Sequence, residues 1–396
     1  SGLPQLFWSA GNPWREANHW LMDRATSGDV DLKTVLSNAS ALHAYANWLE
    51  ENEMGWLEFP PLRKDRCLVR FRGALIALRK AGEIAPSTAS QRMRSVVKFY
   101  RWMHDGGLVD TAWPMWQERV FGITIQDRVG FNRTILVRGT DLGIPNRRIS
   151  SCDLEGGLLP VSSEARDEIL EFVREYSSRE MFLILSLGFF TGMRLGSICD
   201  LKGKTLERAI PEPNAPGLYR LAIGPGASPP VATKMDVTGL IFIPEQLLNE
   251  LKEYFYDIER LKRESLASKE EKNLLFLTRF GNSFASRGTN KSVAINVEMT
   301  RLRKLSRKLD KARQLHNFKF HQSRATFATQ LATIAIDIIG PLQAISVVKD
   351  ALLHKLETTT LKYIKFVQRA PVKAALSNTF SAAFLGLLVR NNKTGE

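Results

Sequence analysis

Four side chains near the carboxyl end have the types and spacing for work on a phosphate. His321 and Arg324 open the run HQSRATFATQLA, in which Phe327, Ala328, Leu331 and Ala335 fall at helical spacing. That spacing predicts both residues one turn apart on one face of a helix start. Two cations so placed suit a phosphate group. Further on, ALLHKLETTTLKYIKF carries His354, a threonine-rich turn or N-cap at Thr358 to Thr360, and then a short helix bearing Tyr363, nine residues beyond the histidine.

The elements upstream must bring other groups to the same place. Ser162 or Ser163 caps a helix that runs through Tyr176, with Glu164 and Asp167 in its first turn. The apolar run from Met181 to Phe190 reads as a buried helix, about half the length that a bilayer span needs. It leads into Thr191-Gly192-Met193-Arg194-Leu195-Gly196-Ser197-Ile198, where a glycine lets the backbone turn sharply and aims Arg194 from the head of the next helix into a cleft. Tyr219–Ile223 and Gly239–Pro244 read as strands of a small antiparallel sheet, with Lys234 in the turn region between them. Residues 245–268 read as one amphipathic helix, and 274–285 as a short strand and turn. From Arg287 to Arg324 eleven Lys or Arg, Lys291 among them, stand against Glu298 and Asp310. Arg301, Lys304, Lys308 and Lys311 are expected on one helical face laid against a phosphate backbone.

The first part of the chain reads differently. Residues 1–34 form an N-terminal extension whose Trp8, Trp14 and Trp20 are expected to pack. Residues 35–112 carry apolar repeats at three and four, and predict three or four short helices. Their polar faces are basic, with Arg63, Lys64, Arg66, Arg70, Arg72, Arg79, Lys80, Arg92, Arg94, Lys98 and Arg101. Residues 113–158, with Arg128, Arg133, Arg138, Arg147 and Arg148 and little periodicity, read as a long basic linker, a strap along DNA or a surface loop.

Taken together, these motifs resemble the tyrosine recombinase (phage integrase) family. TGMRLGSI matches its first box except for Ser197 in place of the acid. HQSR matches the His-x-x-Arg box with Ser323 and Ala325 at the usual Leu and His, and the Leu-Gly-His box has Leu353 for its glycine. STASQRMRSVVKFYRWMHDGGLV is similar to the end of the family's helical core-binding domain. The resemblance implies a mainly α fold with a small antiparallel β-sheet: a two-lobed DNA clamp made of a helical core-binding domain at 35–112 and a mixed α+β catalytic domain at 159–370. A tail helix at 371–396, containing SNTFSAAFLGLLV, would follow and dock in trans or on its own domain. Ile334 to Lys349 reads as an insertion.

The resemblance also implies roles. A phosphodiester moved to a side-chain oxygen passes through a phosphorane with extra negative charge, which Arg194 and Arg324 would bind bidentately. His321 would take the phenol proton, Lys234 would protonate the departing 5′ oxygen, with Lys202 and Lys204 as rivals, and His354 would bind a phosphate oxygen. Tyr363 would be the nucleophile of a 3′-phosphotyrosyl intermediate. That adduct keeps the bond energy, so neither metal nor other cofactor is expected, and there is no Walker loop or metal-ligand cluster in the sequence.

Bulk properties fit this expectation. The 396 residues carry a net charge of +14, which favours a polyanion as partner. Cys67, Cys152 and Cys199 are scattered as reduced thiols would be. The expected partners are double-stranded DNA with paired sites, three further copies of the chain in a tetramer on DNA, and a directionality factor, with no membrane and a cytoplasmic location. A type IB topoisomerase-like enzyme that relaxes DNA as a monomer, or a catalytically silent DNA-binding accessory protein, fits the same residues.

Overall fold

The computed structural model describes residues 2–28, 30–126, 132–146, 154, 157–285, 292–369 and 371. Arg128, Arg147, Arg148, Cys152, Arg287, Lys291 and all but the first residue of the 371–396 tail lie outside these, as do the side chains of Arg133 and Arg138. The chain divides into two compact units, Ser1–Ile149 and Ser150–Glu396.

The first unit contains helices α1 (Arg15–Thr26), α2 (Leu32–Glu51), α3 (Cys67–Lys80) and α4 (Pro86–Asp105). Asp31 caps α2 by accepting from the Lys33 amide, and proline at the first turn opens α4. The tryptophans of the first 34 residues do pack: Trp14 and Trp20 are buried with Tyr45, Phe71, Phe99 and Tyr100. The Asn18 side chain holds the segment before α1 by accepting from Leu6 N at 2.7 Å and donating to Leu6 O at 3.0 Å. Residues 6–21 thus belong to the same core as the helices that follow.

The 113–158 segment is not without regular structure. Strands β1 (Glu118–Gln126) and β2 (Asn132–Thr140) pair antiparallel along nine residues each. The sequence hides this ribbon because apolar and polar residues do not alternate cleanly along ERVFGITIQ and NRTILVRGT, and because a two-stranded ribbon has no second sheet to impose a pattern.

The second unit is built on α6 (Arg179–Thr191), whose buried residues include Leu183, Leu187 and Phe189. Around it lie α5 (Ser163–Tyr176), α7 (Leu195–Cys199), α8 (Gly203–Glu207), the sheet β3 (Ile210–Pro211), β4 (Leu218–Ile223) and β5 (Gly239–Pro244), and then α9 (Glu245–Phe255), α10 (Ile258–Leu266) and α11 (Val293–Leu309). The sheet is antiparallel in the order β3-β4-β5. The single amphipathic helix expected over 245–268 is two helices, because Asp257 caps a new one by accepting from Glu259 N.

Helix α12 (His321–Ala351) is long and apolar enough to cross a membrane by length and composition, yet Gly340, at φ 78°, and Pro341 break its course. Its first half packs on α6: a Cβ at Gly188 would come within 2.4 Å of Ser323 Oγ. The break lies inside the insertion expected at Ile334 to Lys349 and leaves Ile334, Ile338 and Leu342 exposed. The last described helix, α13, spans residues 357–369, so Thr358 to Thr360 sit inside its first turn and not ahead of it.

Candidate active site

Two chain reversals shape the site, and each places a side chain. Gly192 ends α6 in the left-handed conformation (φ 66°), and Arg194 then becomes the N-cap residue of α7. Any side chain at 192 would be strained by that φ and would also meet Phe327 Cδ1 at 2.5 Å and Leu352 Cδ2 at 2.8 Å. The second reversal lies at the end of α12, where Leu353 has φ 51°. This is the position at which the motif usually has glycine. A left-handed leucine costs about 1–2 kcal/mol of backbone strain. The cost is offset by packing, since the Leu353 side chain lies over Gly239, where a Cβ would approach its Cδ2 to 2.5 Å.

Arg324 joins the two reversals. It is buried, with Nη1 donating to Gly192 O at 2.6 Å and Nη2 to Leu352 O at 2.8 Å. Each carbonyl belongs to a helix end whose acceptors lack intrahelical donors, so a charged donor there satisfies two otherwise orphaned groups. Arg194, Lys234 and Arg324 line one small cavity of about 20 Å³ with Thr191, Ser197 and Thr233. Lys234 is exposed at the head of a tight turn between β4 and β5 in which Met235 and Asp236 both have positive φ, 63° and 53°. Of its rivals, Lys202 is taken up by an ion pair with Asp200 at 2.7 Å and a hydrogen bond to Pro230 O at 2.7 Å. Lys204 is exposed on α8 and does not line the cavity.

His321, His354 and Tyr363 do not line that cavity. His321 is the first residue of α12, half-buried and one turn from Arg324 on the same helix. The His354 ring stacks on that of Tyr363, with centroids 6.0 Å apart and planes at 13°, and His354 Nδ1 shares a hydrogen bond of 2.9 Å with Thr360 Oγ1. Tyr363 is fully buried, in an alanine-rich cluster with Ala325, Ala328, Ala335, Ala344, Val348 and Leu352. Leu352 links the two places, because its carbonyl accepts from Arg324 and its side chain packs in the tyrosine's cluster. In this state the nucleophile candidate is sheathed beside the cation site and does not face solvent. Among the described residues no group of His, Cys, Asp and Glu is arranged to hold a metal ion.

The candidate DNA-binding side chains divide. Lys64, Arg70, Arg94, Lys304 and Lys308 are exposed and Arg92 is half-buried. Arg63 pairs with Asp141. Arg66, counted among the basic faces, is instead buried and donates to the carbonyls of Pro60, Pro61 and Pro114. Arg301 is bound to Glu298 at 2.6 Å, and it holds the Glu298 carboxyl below the usual range. Lys311 does not share the face of Arg301, Lys304 and Lys308: α11 ends at Leu309, Asp310 turns left-handed at φ 49°, and the Lys311 ammonium rests over the Tyr176 ring. Helical periodicity alone could not reveal that break, because nothing in the run SRKLDKAR is a glycine or proline.

Sequence reasoning did not single out a groove of about 720 Å³ in the first unit, lined by Arg72, Arg94, Lys98, Arg101 and Arg119. Burial, Arg24 and Arg94 push the Lys98 ammonium below the ordinary lysine range, a repulsion that a bound anion would relieve. The signal available was Arg72, Lys98 and Arg101 on neighbouring helices; Arg119, from β1, could be added only by the fold.

No family model and no curated protein matches this sequence. Solved structures do. A fragment of the Tn1549 transposon integrase in complex with transposon right end DNA is similar over 91% of this chain and 98% of that chain, at 16% identity and a TM-score of 0.53. The same integrase in complex with a circular intermediate DNA aligns over 91% and 99% at 14% identity and a TM-score of 0.51. A λ integrase dimer bound to a core site reaches a TM-score of 0.48 at 13% identity, over 91% of this chain and 95% of that one. The chain therefore has the fold of a transposon integrase, mainly helical with small antiparallel sheets, as the resemblance of its motifs implies.

Proposed function

We propose that this chain is a site-specific DNA recombinase that breaks and rejoins strands through Tyr363, for integration, excision or transposition of a mobile element. The observation that carries the reading is the meeting of Arg194, Arg324 and Lys234 on one cavity, with the stacked His354–Tyr363 pair joined to it through Leu352. In this reading the Tyr363 oxygen attacks the phosphorus, its proton passes to His321, and the P–O5′ bond breaks as Lys234 gives a proton to the departing oxygen. The two guanidiniums neutralise the charge that builds on the non-bridging oxygens. His354 orients the tyrosine by stacking. The fold shared with integrases in complex with DNA supports the same reading, as do the basic groove of the first unit and the exposed Lys304 and Lys308 of α11. Double-stranded DNA with paired sites, a tetramer on that DNA and a directionality factor belong to the proposal.

The burial of Tyr363 adds a step. The tyrosine must leave its alanine-rich cluster before it reaches phosphorus, so cleavage follows a rearrangement of α13. The experiment is a nicked suicide duplex carrying the sequence that the protein selects from a random DNA pool. The expected result is a covalent protein–DNA adduct, absent with Tyr363→Phe. Binding with no adduct would favour the silent accessory protein, and relaxation of arbitrary plasmid by the monomer would favour the topoisomerase.

A further inference from the structure

The connection between β4 and β5 is gripped by four side chains from the segment that follows Arg194. Ser197 Oγ donates to Ala232 O at 2.8 Å, and Ala232 N donates to Asp200 Oδ2 at 2.6 Å. Lys202 Nζ donates to Pro230 O at 2.7 Å and pairs with the other Asp200 oxygen at 2.7 Å, while Arg208 Nη1 donates to Ser228 O at 2.7 Å. Both backbone groups of Ala232 are thus bound to α7 and its C-cap, two residues before Lys234. Beyond that point Thr233 Oγ1 donates to Val237 O at 2.6 Å and closes the turn. Two consecutive non-glycine residues in the left-handed region, Met235 and Asp236, are costly and persist only where their surroundings hold them. Ser197 and Asp200 are themselves buried, both 6% exposed, so this grip is shielded from competing water.

We propose that Asp200 and Ser197 are positioning residues for Lys234, fixing its ammonium against the Arg194 guanidinium. Arg194 heads α7 and Asp200 ends it, so the five-residue helix acts as a spacer with the phosphate-binding cation at one end and the anchor of the proton donor at the other. Ser197 stands where the first box usually has an acid, and the carboxylate that binds the loop here is Asp200, three residues on. Ser197 keeps a second bond to the same residue of the loop. Lys202 neutralises Asp200 and is thereby a part of the anchor, not a proton donor.

The inference rests on the recombinase reading, and one pair of substrates separates the two. The selected duplex is prepared with either oxygen or sulfur as the bridging atom at the scissile 5′ position. Sulfur leaves as a thiolate and needs no proton, so a defect confined to proton delivery disappears on that substrate. Asp200→Ala is expected to slow adduct formation about 100-fold on the oxygen duplex, the scale of loss from a misplacement near 1 Å. On the sulfur duplex it should stay within about threefold of wild type, because no general acid is required there. Lys234→Ala should show the same split, and Ser197→Ala a smaller split of the same sign. Ser197→Ala removes only a hydroxyl, and it carries the test if Asp200→Ala melts the domain. Equal slowing on both duplexes, with Lys234→Ala still selective for oxygen, would overturn the positioning role alone. A wild-type chain that forms no Tyr363-dependent adduct on either duplex would overturn the recombinase reading and this inference with it.

Discussion

The half of the second unit that holds the cations and the half that holds the tyrosine are built to different depths. Around Arg194 and Lys234 the core is large and made of branched and aromatic side chains, from Leu183, Leu187 and Phe189 on α6 to Ile223, Ile241 and Ile243 on the sheet. Around Tyr363 it is a smaller cluster, half of its buried residues alanine, along the broken helix α12, with Ile338 75% and Leu342 80% exposed on the same helix. Burial of apolar area is what resists opening, at roughly 25 cal/mol per Å². The half around Arg194 and Lys234 is therefore expected to stay fixed while the half around Tyr363 opens at low cost, which is the division that the proposed function of a sheathed tyrosine needs.

The comparison breaks most plainly at Arg324, which spans both halves. Arg324→Ala should abolish adduct formation and also lower unfolding stability by about 2–4 kcal/mol, since the Gly192 and Leu352 carbonyls would lose their buried donors. Arg194→Ala should reduce adduct formation by about 10²-fold or more. Were Arg324→Ala as stable as wild type in a denaturant melt, Arg324 would not be the tie between the halves. Gly192→Ala should cost about 1–3 kcal/mol, because the added carbon overpacks against Phe327 and Leu352 at a left-handed position.

Hydrogen exchange sharpens the contrast without mutation. Amides of residues 342–369 should exchange through openings smaller than those of α6, and equal protection in both would remove the basis for a mobile tyrosine. The smallest effect lies at Glu298. Its carboxyl is held below the usual range by Arg301, so the pair contributes stability that is present above the ordinary glutamate pKa and is lost as pH falls through the depressed one. Glu298→Gln should therefore be less stable than wild type by about 0.2–1 kcal/mol at pH 7, with the gap closing in strongly acidic buffer. A gap that widened on acidification would contradict the pairing.

Much of the site was legible from one dimension. Arg194 and Arg324 stand out because a glycine turn and a helix start put each near the head of an element, whereas the stacking of His354, just ahead of α13, on Tyr363, in the middle of that helix, is visible only in the fold. Lys234 is legible as the cation between two strands, and only the fold shows that it lines the cavity with Arg194 and Arg324 while Lys202 is bound to Asp200 and Pro230 and Lys204 lies off that cavity. Lys311 and Arg66 were misplaced, one by an αL residue with no sequence signature and the other by carbonyls supplied from Pro60, Pro61 and Pro114. The Leu353 departure from the motif was readable as a difference, though not as harmless. Its left-handed backbone is held by packing over Gly239, more than a hundred residues away in the chain.

By itself, the sequence determined the residue types, their order and the local turns that aim them, because those depend on spacing within a few residues. Tertiary structure alone decided which cations line one cavity and which are bound to carbonyls or carboxylates elsewhere. It also decided that the tyrosine is sheathed, because burial and pairing are set by groups that come together only when distant segments pack.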